Sequence, residues 1–111
     1  MAKSTPKVQL NQLYLNGDTA PVCSIGSPEW FDWLETAAAF RYQTNQTIAL
    51  FPGYSRPMQP ISLRKEKRRR GHLWYAYRRS HGVLYKRYVG KTVTLTGVKL
   101  DEIATLLNEI W

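Results

Sequence analysis

The residues whose types and spacing could do chemistry are concentrated in one stretch, residues 61–91 (ISLRKEKRRRGHLWYAYRRSHGVLYKRYVGK). This basic segment holds eleven Lys and Arg residues against one acid, Glu66, which gives it a formal charge of +10. Because the whole sequence carries +8, the residues outside the segment sum to −2. Five aromatic residues lie among the bases: Trp74, Tyr75, Tyr77, Tyr85 and Tyr88. Such a local concentration of positive charge favours a polyanionic partner over a general role in solubility.

The sequence contains none of the arrangements that are typical of catalysis or metal binding. It has no Gly-rich phosphate loop, no paired carboxylates near a histidine and no HxxR cluster to assist a nucleophilic tyrosine. Cys23 is the single cysteine, and with His72 and His81 it makes no recognisable metal-ligand spacing. The two histidines flank a predicted strand, where turn and strand-end roles are far commoner than catalysis. We expect a protein that is not an enzyme and that needs no metal or cofactor.

At 111 residues the chain has the size of one domain with a modest core. We divide residues 1–111 into an arm that we expect to be flexible (residues 1–20), a helix and strand (residues 26–43) and a basic sheet with a helix (residues 61–111). No apolar run is long enough for a signal peptide or a membrane span. The sequence therefore predicts a cytoplasmic protein without membrane contact.

The first predicted helix begins at Ser27. Ser27 is a suitable N-cap and Pro28 fits the first helical position. Apolar residues then recur at spacings of three and four: Trp30, Trp33, Leu34, Ala37 and Ala38. We expect the helix to end near Ala39 or Phe40, and both tryptophans to pack in the core rather than to bind a ligand.

Short strands and a loop are predicted around this helix. Residues 8–18 could form a short strand or an arm that ends in an Asn-Gly-Asp turn. Residues 39–43 and 47–51 are strand-like, with a turn at residues 45–46 between them. The prolines and the glycine in residues 52–60 predict a loop there.

The basic segment is predicted to form three antiparallel strands, at residues 61–68, 72–79 and 83–90. Gly82 can supply the positive φ that a short hairpin loop requires. A leucine-rich apolar stripe predicts a final helix from Thr96 to residue 110. The predicted fold class is α+β, an antiparallel three- to four-stranded sheet backed by this carboxy-terminal helix, with an additional amino-terminal helix. One face of the sheet is then left open.

The composition of the open face depends on the register of the last hairpin. A three-residue loop places Trp74, Ala76, Arg78, Leu84, Lys86 and Tyr88 on one face. A two-residue loop instead joins Trp74, Ala76 and Arg78 to Val83, Tyr85, Arg87 and Val89. The sequence is compatible with both registers. Because Arg78 and Arg79 are neighbours, as are Lys86 and Arg87, each strand presents one base on the open face in either case.

A ribbon of two or three basic strands fits the major groove of duplex DNA, where Arg can pair with guanine. The run from Arg64 to Arg70 is expected to contact phosphates, although such a run is equally often a solvated face or a localisation signal. The candidate nucleic-acid-binding residues are Arg64, Lys65, Lys67, Arg68, Arg69, Arg70, Trp74, Tyr75, Tyr77, Arg78, Arg79, Lys86, Arg87 and Lys91. We expect a small DNA-binding protein that acts as a transcriptional regulator or as a mobile-element accessory factor.

Two resemblances agree with this expectation. The stretch GHLWYAYRRSHGVLYKRYVG resembles the strand-turn-strand signature in the amino-terminal DNA-binding domains of tyrosine-type integrases, in which a three-stranded sheet backed by a helix lies in the major groove. A longer pattern, SPEWFDWLETAAAFRY with LRKEKRRRGHLWYAYRR, GVLYKRYVGK and LTGVKLDEIATLL, is similar to a Trp-rich, WYAYRR-type module of bacterial regulatory and mobile-element proteins. Integrase domains lack the Trp-rich helix, and the sequence has no catalytic recombinase domain. The first resemblance implies sheet residues near DNA: Tyr75, Tyr77, Arg78, Arg79, Lys86 and Arg87.

Two other functions remain open at this stage. Trp74 and the tyrosines could stack on the bases of single-stranded DNA or of RNA. The basic face could instead dock an acidic protein or a protein–nucleic-acid complex, as a non-enzymatic subunit or inhibitor, because Arg and aromatic residues are also common in protein hot spots. Trp111 and the apolar residues of the last helix could form a homodimer surface or complete the core.

Overall fold

The computed structural model describes residues 5–15, 20–44, 46–69 and 71–109. Several features predicted from the sequence fall outside these ranges: residues 1–4 of the arm, the Asn-Gly-Asp turn, Asn45, Arg70, Ile110 and Trp111.

The chain folds into nine strands, two α-helices and one 3₁₀ helix. In chain order they are β1 (Lys7–Gln9), β2 (Gln12–Tyr14), β3 (Cys23–Ser24), α1 (Pro28–Thr36), β4 (Ala39–Gln43), β5 (Thr47–Phe51), β6 (Tyr54–Pro57), β7 (Ile61–Arg68), β8 (Gly71–Ser80), β9 (Val83–Gly90), the 3₁₀ helix (Thr92–Thr94) and α2 (Gly97–Asn108), all within the described ranges. Two helices accompany a mostly antiparallel sheet, so the predicted α+β class is confirmed.

Seven strands, rather than three or four, form the main sheet, in the order β3-β2-β1-β4-β7-β8-β9. The predicted strand count was wrong because the amino-terminal residues add a hairpin, β1 and β2, whose first strand pairs in parallel with β4. The turn of this hairpin has φ values of 54° at Leu10 and 62° at Asn11. A turn of this kind without glycine gives only a weak sequence signal.

A second, two-stranded sheet pairs β5 with β6. Residues 52–60, predicted as a loop, therefore contain a strand. Gly53 lies in the turn between the two strands with φ of 78°, a conformation that glycine adopts without strain. Pro57 comes last in β6, a position at which its missing N–H costs the ladder little.

Helix α1 begins as predicted, with the Ser27 hydroxyl accepting a hydrogen bond from the Trp30 backbone N–H at 3.3 Å. It ends at Thr36, three residues before the earliest predicted end, because Ala37 already has extended backbone. Phe40 is buried in β4, and strand alternation is what turns this side chain into the core. At the end of the helix, the Lys65 ammonium donates to the backbone carbonyl oxygens of Leu34 at 2.5 Å and Glu35 at 2.9 Å.

Both helices cover the same face of the main sheet. Helix α2 begins after Thr96, whose hydroxyl accepts from the Lys99 backbone N–H at 3.2 Å, as predicted. The fully buried core contains Val8, Leu13, Trp30, Leu34, Phe40, Leu63, Trp74, Ala76, Leu95, Leu100 and Leu107. These residues join α1, α2 and the inner side of five strands into one core, with Trp30 donating from Nε1 to the Leu95 carbonyl at 2.8 Å. The predicted packing role of the first tryptophan is confirmed.

The meander of β7, β8 and β9 is confirmed, and its last hairpin has the two-residue register. Ser80 pairs with Val83, and the loop residues His81 and Gly82 have φ values of 51° and 80°. Positive φ at both positions is typical of a type I′ turn. A bulge then shifts the register so that Trp74 opposes Gly90 rather than its neighbour Val89. The hairpin thereby presents Arg78 to the covered face and Arg79 to the open one.

Candidate nucleic-acid interface

The face of the main sheet opposite the helices is defined by the residues that alternate with the buried ones. We call it the open face. Its residues include Gln12 and Tyr14 from β2, Lys7 and Gln9 from β1, Arg41 and Gln43 from β4, Ser62, Arg64, Glu66 and Arg68 from β7, Tyr75, Tyr77 and Arg79 from β8, and Leu84, Lys86 and Tyr88 from β9. Six of these residues are basic and one, Glu66, is acidic. Pairing of the strands therefore distributes positive charge over five strands of this face, β1, β4, β7, β8 and β9.

The single acid of this described face is surrounded by donors. Arg68 Nη2 lies 2.5 Å from Glu66 Oε1, and Lys86 Nζ lies 3.2 Å from Glu66 Oε2. The Tyr77 hydroxyl also donates to the carboxylate. Two bases and a hydroxyl thus neutralise the one negative charge of the open face.

The same two bases lie against aromatic rings. Arg68 is 5.0 Å from the centre of the Tyr75 ring and Lys86 is 4.4 Å from it. Tyr75 also meets Tyr88 edge to face, with ring centres 5.6 Å apart. Cation–π contacts at exposed sites are individually weak, about 0.5–1 kcal/mol, but they limit the rotamers of both bases. A ligand that binds the two cations would therefore lose less side-chain entropy than on a disordered basic surface.

The pKa of Glu66 lies below its ordinary value of 4.5, mainly because the Tyr77 hydroxyl donates to the carboxylate, while Lys86 and Arg68 act in the same direction. A pKa that is lower in the folded state adds stability above the unfolded value and loses it as pH falls through the folded value. We therefore expect wild type to be more resistant to urea than Glu66→Gln near neutral pH, with the difference closing below about pH 4.5. Urea midpoints measured across this range for both proteins test it. A difference that stays constant with pH would show that the carboxylate charge has no part in it.

The structure divides the candidate residues between the two sides of the sheet. On the open face lie Arg64, Arg68, Tyr75, Tyr77, Arg79 and Lys86. On the side of the helices lie Lys65, Lys67, Trp74, Arg78 and Arg87. Arg69 lies in the turn after β7 and Lys91 follows β9, whereas Arg70 lies outside the described residues. Six of the fourteen predicted residues therefore share the open face, and five lie on the other side of the sheet.

Trp74 is a correction to the sequence prediction. Its side chain is fully buried, packs against Phe40 with ring centres 5.4 Å apart, and donates from Nε1 to the Thr92 hydroxyl at 3.1 Å. A buried indole cannot stack on a base. The most exposed aromatic side chain of the open face is instead Tyr88, at 58%.

The prediction that the whole run from Arg64 to Arg70 contacts phosphates also needs correction. Because these residues begin in a strand, successive side chains point to opposite faces. Lys65 is used at the end of α1, so it is not available to a ligand on the open face. Arg78 is likewise committed to the covered side, where Nη1 donates to the Leu107 carbonyl at 3.1 Å.

Two open-face bases were missed by the sequence prediction, Lys7 and Arg41. Arg41 alternates with the buried Phe40 and Tyr42, and this pattern in a predicted strand was a usable signal. Lys7 had no such signal, because its place beside Arg41 depends on the parallel pairing of β1 with β4.

Comparisons with protein-family models, curated proteins and solved structures find no match to this chain. Among the described residues, no helix is long and apolar enough to span a membrane. The same residues contain no group of three or more His, Cys, Asp or Glu side chains that could hold a metal ion. A function for this chain must therefore be inferred from the chemistry of the open face.

Proposed function

We propose that this chain is a non-enzymatic DNA-binding protein that places the open face of its main sheet on duplex DNA. The observation that carries the proposal is the charge of that face, on which six bases from β1, β4, β7, β8 and β9 accompany one neutralised acid. Bases spread over one surface in this way match a phosphate backbone, which supplies most of the affinity of such proteins.

The dimensions of the sheet favour a duplex. Neighbouring strands lie about 4.8 Å apart, so β7, β8 and β9 together span roughly 10 Å. The major groove of B-DNA is about 12 Å wide. The meander can therefore enter the groove, whereas the full seven-stranded sheet is too wide, and Arg41 and Lys7 on the adjoining strands would contact flanking phosphates.

Single-stranded nucleic acid is a weaker match to the described surface. Binding without base pairing relies on aromatic side chains that stack on successive bases. Trp74 is buried, and the ring of Tyr75 already contacts Arg68 and Lys86. Tyr88 alone offers a widely exposed ring on this face, which is too little for a stacking platform.

The two resemblances described above extend the proposal. They favour a role as a transcriptional regulator or as an accessory factor of a mobile element, acting on cytoplasmic DNA. The integrase resemblance agrees with a groove-binding meander, although the additional strands and α1 depart from that pattern.

The salt dependence of binding tests this function. If four to six open-face bases contact phosphates, a plot of log K against log salt for wild type and a duplex should have a slope of about −3.6 to −5.4. A slope flatter than about −1 would contradict the proposal, because phosphate neutralisation would then be absent. If single-stranded DNA or RNA competes better than duplex, the stacking alternative is favoured. If an acidic protein remains bound in a pull-down after nuclease treatment, the protein-docking alternative is favoured.

A further inference from the structure

Strand β9 is the long free edge of the main sheet. The strand at the opposite edge, β3, has only two residues, whereas β9 has eight. An edge strand presents a row of backbone N–H and carbonyl groups without partners, and such a row is a template for another strand. Within the described sheet, β9 is therefore the edge at which a further strand can pair over the greater length.

The pairing of β9 with β8 decides which of its backbone groups point outward. Ser80 opposes Val83 across the two-residue turn, and the residues of such a pair exchange both of their hydrogen bonds. Bonded and non-bonded pairs alternate along an antiparallel ladder, so the N–H and carbonyl groups of Leu84, Lys86 and Tyr88 point away from β8. No turn, loop or cap hydrogen bond of the described residues uses these groups.

The side chains along this edge are largely apolar. Val83, Leu84 and Tyr88 are 50%, 52% and 58% exposed, so no other element of the described chain covers them. A long, exposed apolar edge tends to associate with another strand. The regular part of the edge ends at Tyr88, because the next two residues are buried and the second of them, Gly90, has a φ of 135°.

The charges of the edge select one register for a second copy of β9. Antiparallel pairing keeps each side chain on its own face only if the twofold axis passes through a single residue and its copy. Within residues 83–88, an axis at Tyr85 or at Lys86 aligns five residues from each copy, and every other axis aligns fewer. The axis at Lys86 would place the two lysines directly opposite each other, which is unfavourable.

The axis at Tyr85 avoids this repulsion. Lys86 then opposes Leu84 of the second copy, and Arg87 opposes Val83 of the second copy. Lys86 also keeps its ion pair with Glu66 of its own chain. Leu84 and Lys86 are residues whose backbone groups point outward, so the two pairs that they form across the axis contain about four hydrogen bonds.

We propose that two copies of this chain pair antiparallel through β9, with the twofold axis at Tyr85. The main sheet then continues from seven strands to fourteen, and both open faces lie on the same side of it. Five aligned residues a side are few beside the roughly 20–30 of a stable interface, so we expect a weak dimer with a Kd on the order of 100 μM. This inference does not depend on the proposed function.

Disulfide trapping tests the register. In a Cys23→Ser background, Tyr85→Cys places two thiols in a non-hydrogen-bonded pair, whose Cα atoms lie about 4.5 Å apart and within disulfide range. Arg87→Cys is the matched control on the same face of β9, because its two copies would lie roughly 14 Å apart. We expect Tyr85→Cys to form a covalent dimer about tenfold faster than Arg87→Cys. Equal rates in the two variants would overturn the register.

Sedimentation equilibrium between about 10 μM and 1 mM tests the backbone pairing without a cross-link. Leu84→Pro removes an outward N–H, which a free edge tolerates, and should weaken association about tenfold relative to Leu84→Ala, which keeps that N–H. Circular dichroism should first show that both variants are folded. Equal association of the two folded variants would overturn the inference, and if Leu84→Pro does not fold, the cysteine pair decides.

The salt dependence separates this inference from the proposed function. Each copy carries a formal charge of +8, so screening should strengthen the dimer as salt rises, whereas binding to duplex weakens. If wild type dimerises but binds no duplex, the inference stands and the proposed function fails. If wild type binds duplex but stays monomeric to about 1 mM at every salt concentration, the inference fails. Binding of an extended acidic peptide by monomeric wild type, but not by Leu84→Pro, would assign the edge to another protein and also overturn the inference.

Discussion

Replacing Trp74 by alanine is expected to lower the free energy of unfolding by about 3–5 kcal/mol. The indole is fully buried between the sheet and the helices, packs on Phe40 and bonds to the Thr92 hydroxyl. Its removal would leave a cavity and deprive Thr92 of a partner. Small domains are stable by only about 5–15 kcal/mol, so the loss would be a large part of the total. Urea unfolding followed by circular dichroism measures it.

The control for this prediction is Tyr88→Ala on the open face. Tyr88 is 58% exposed, and it contacts Tyr75 at the edge of the ring, so its removal should cost about 1 kcal/mol or less. If Trp74→Ala does not fold, Trp74→Phe provides a smaller cavity and should still be less stable than Tyr88→Ala. A greater loss in the Tyr88 variant than in either Trp74 variant would contradict the placement of Trp74 on the covered face and of Tyr88 on the open face.

Local signals predicted much of this fold. The N-caps at Ser27 and Thr96 were predictable, because a cap depends only on one side chain and the next few backbone N–H groups. Gly82 likewise marks its hairpin turn, since a positive φ is a property of the residue and its immediate neighbours. The strands of the basic segment were predictable from composition and turn spacing for the same reason.

Pairing between distant segments was not predictable in this way. The parallel contact between β1 and β4 joins residues more than thirty positions apart, and nothing in the residues near Lys7 specifies its neighbour. The bulge near Trp74 was not predictable from the sequence either. It allows both Trp74 and Val89 to pack in the core, and that packing depends on helices distant in sequence. The number of strands in the sheet and the identity of its covered face therefore required the structure.

The candidate site shows the same division. Strand alternation predicted that one base of each adjacent pair would face outward. In the structure these bases are Arg79 and Lys86. Which base it would be depended on the register. Alternation, applied to the predicted strand at residues 61–68, would also have removed Lys65 and Lys67 from a common surface with Arg64. The run of adjacent bases was predicted as one contact surface, although strand alternation already divides it between two faces.

Reversing charge on the open face is expected to weaken duplex binding on the order of 100-fold. The change is Arg64→Glu with Lys86→Gln, two positions on the outward side of β7 and β9. In the proposed complex, the variant would lose two phosphate contacts, and the new carboxylate would repel the DNA backbone. Glu66 keeps Arg68 and Tyr77 as partners in this variant, so the sheet should stay folded.

The matched control is Lys67→Glu with Arg87→Gln on the helix side of the same two strands. Each variant loses one positive charge and reverses another, so both fall from a formal charge of +8 to +5. Any effect of net charge alone is therefore equal in the two proteins. Only the face that carries the changed residues differs.

Titration of one duplex with wild type and these two variants, at a single moderate salt concentration, tests the open face most directly. We expect the Arg64→Glu, Lys86→Gln variant to lose on the order of 100-fold in affinity, while the Lys67→Glu, Arg87→Gln variant stays within about threefold of wild type. Circular dichroism should first show that both are folded. Equal losses in the two folded variants, or a greater loss from the helix side, would contradict the assignment of the open face as the DNA-binding surface.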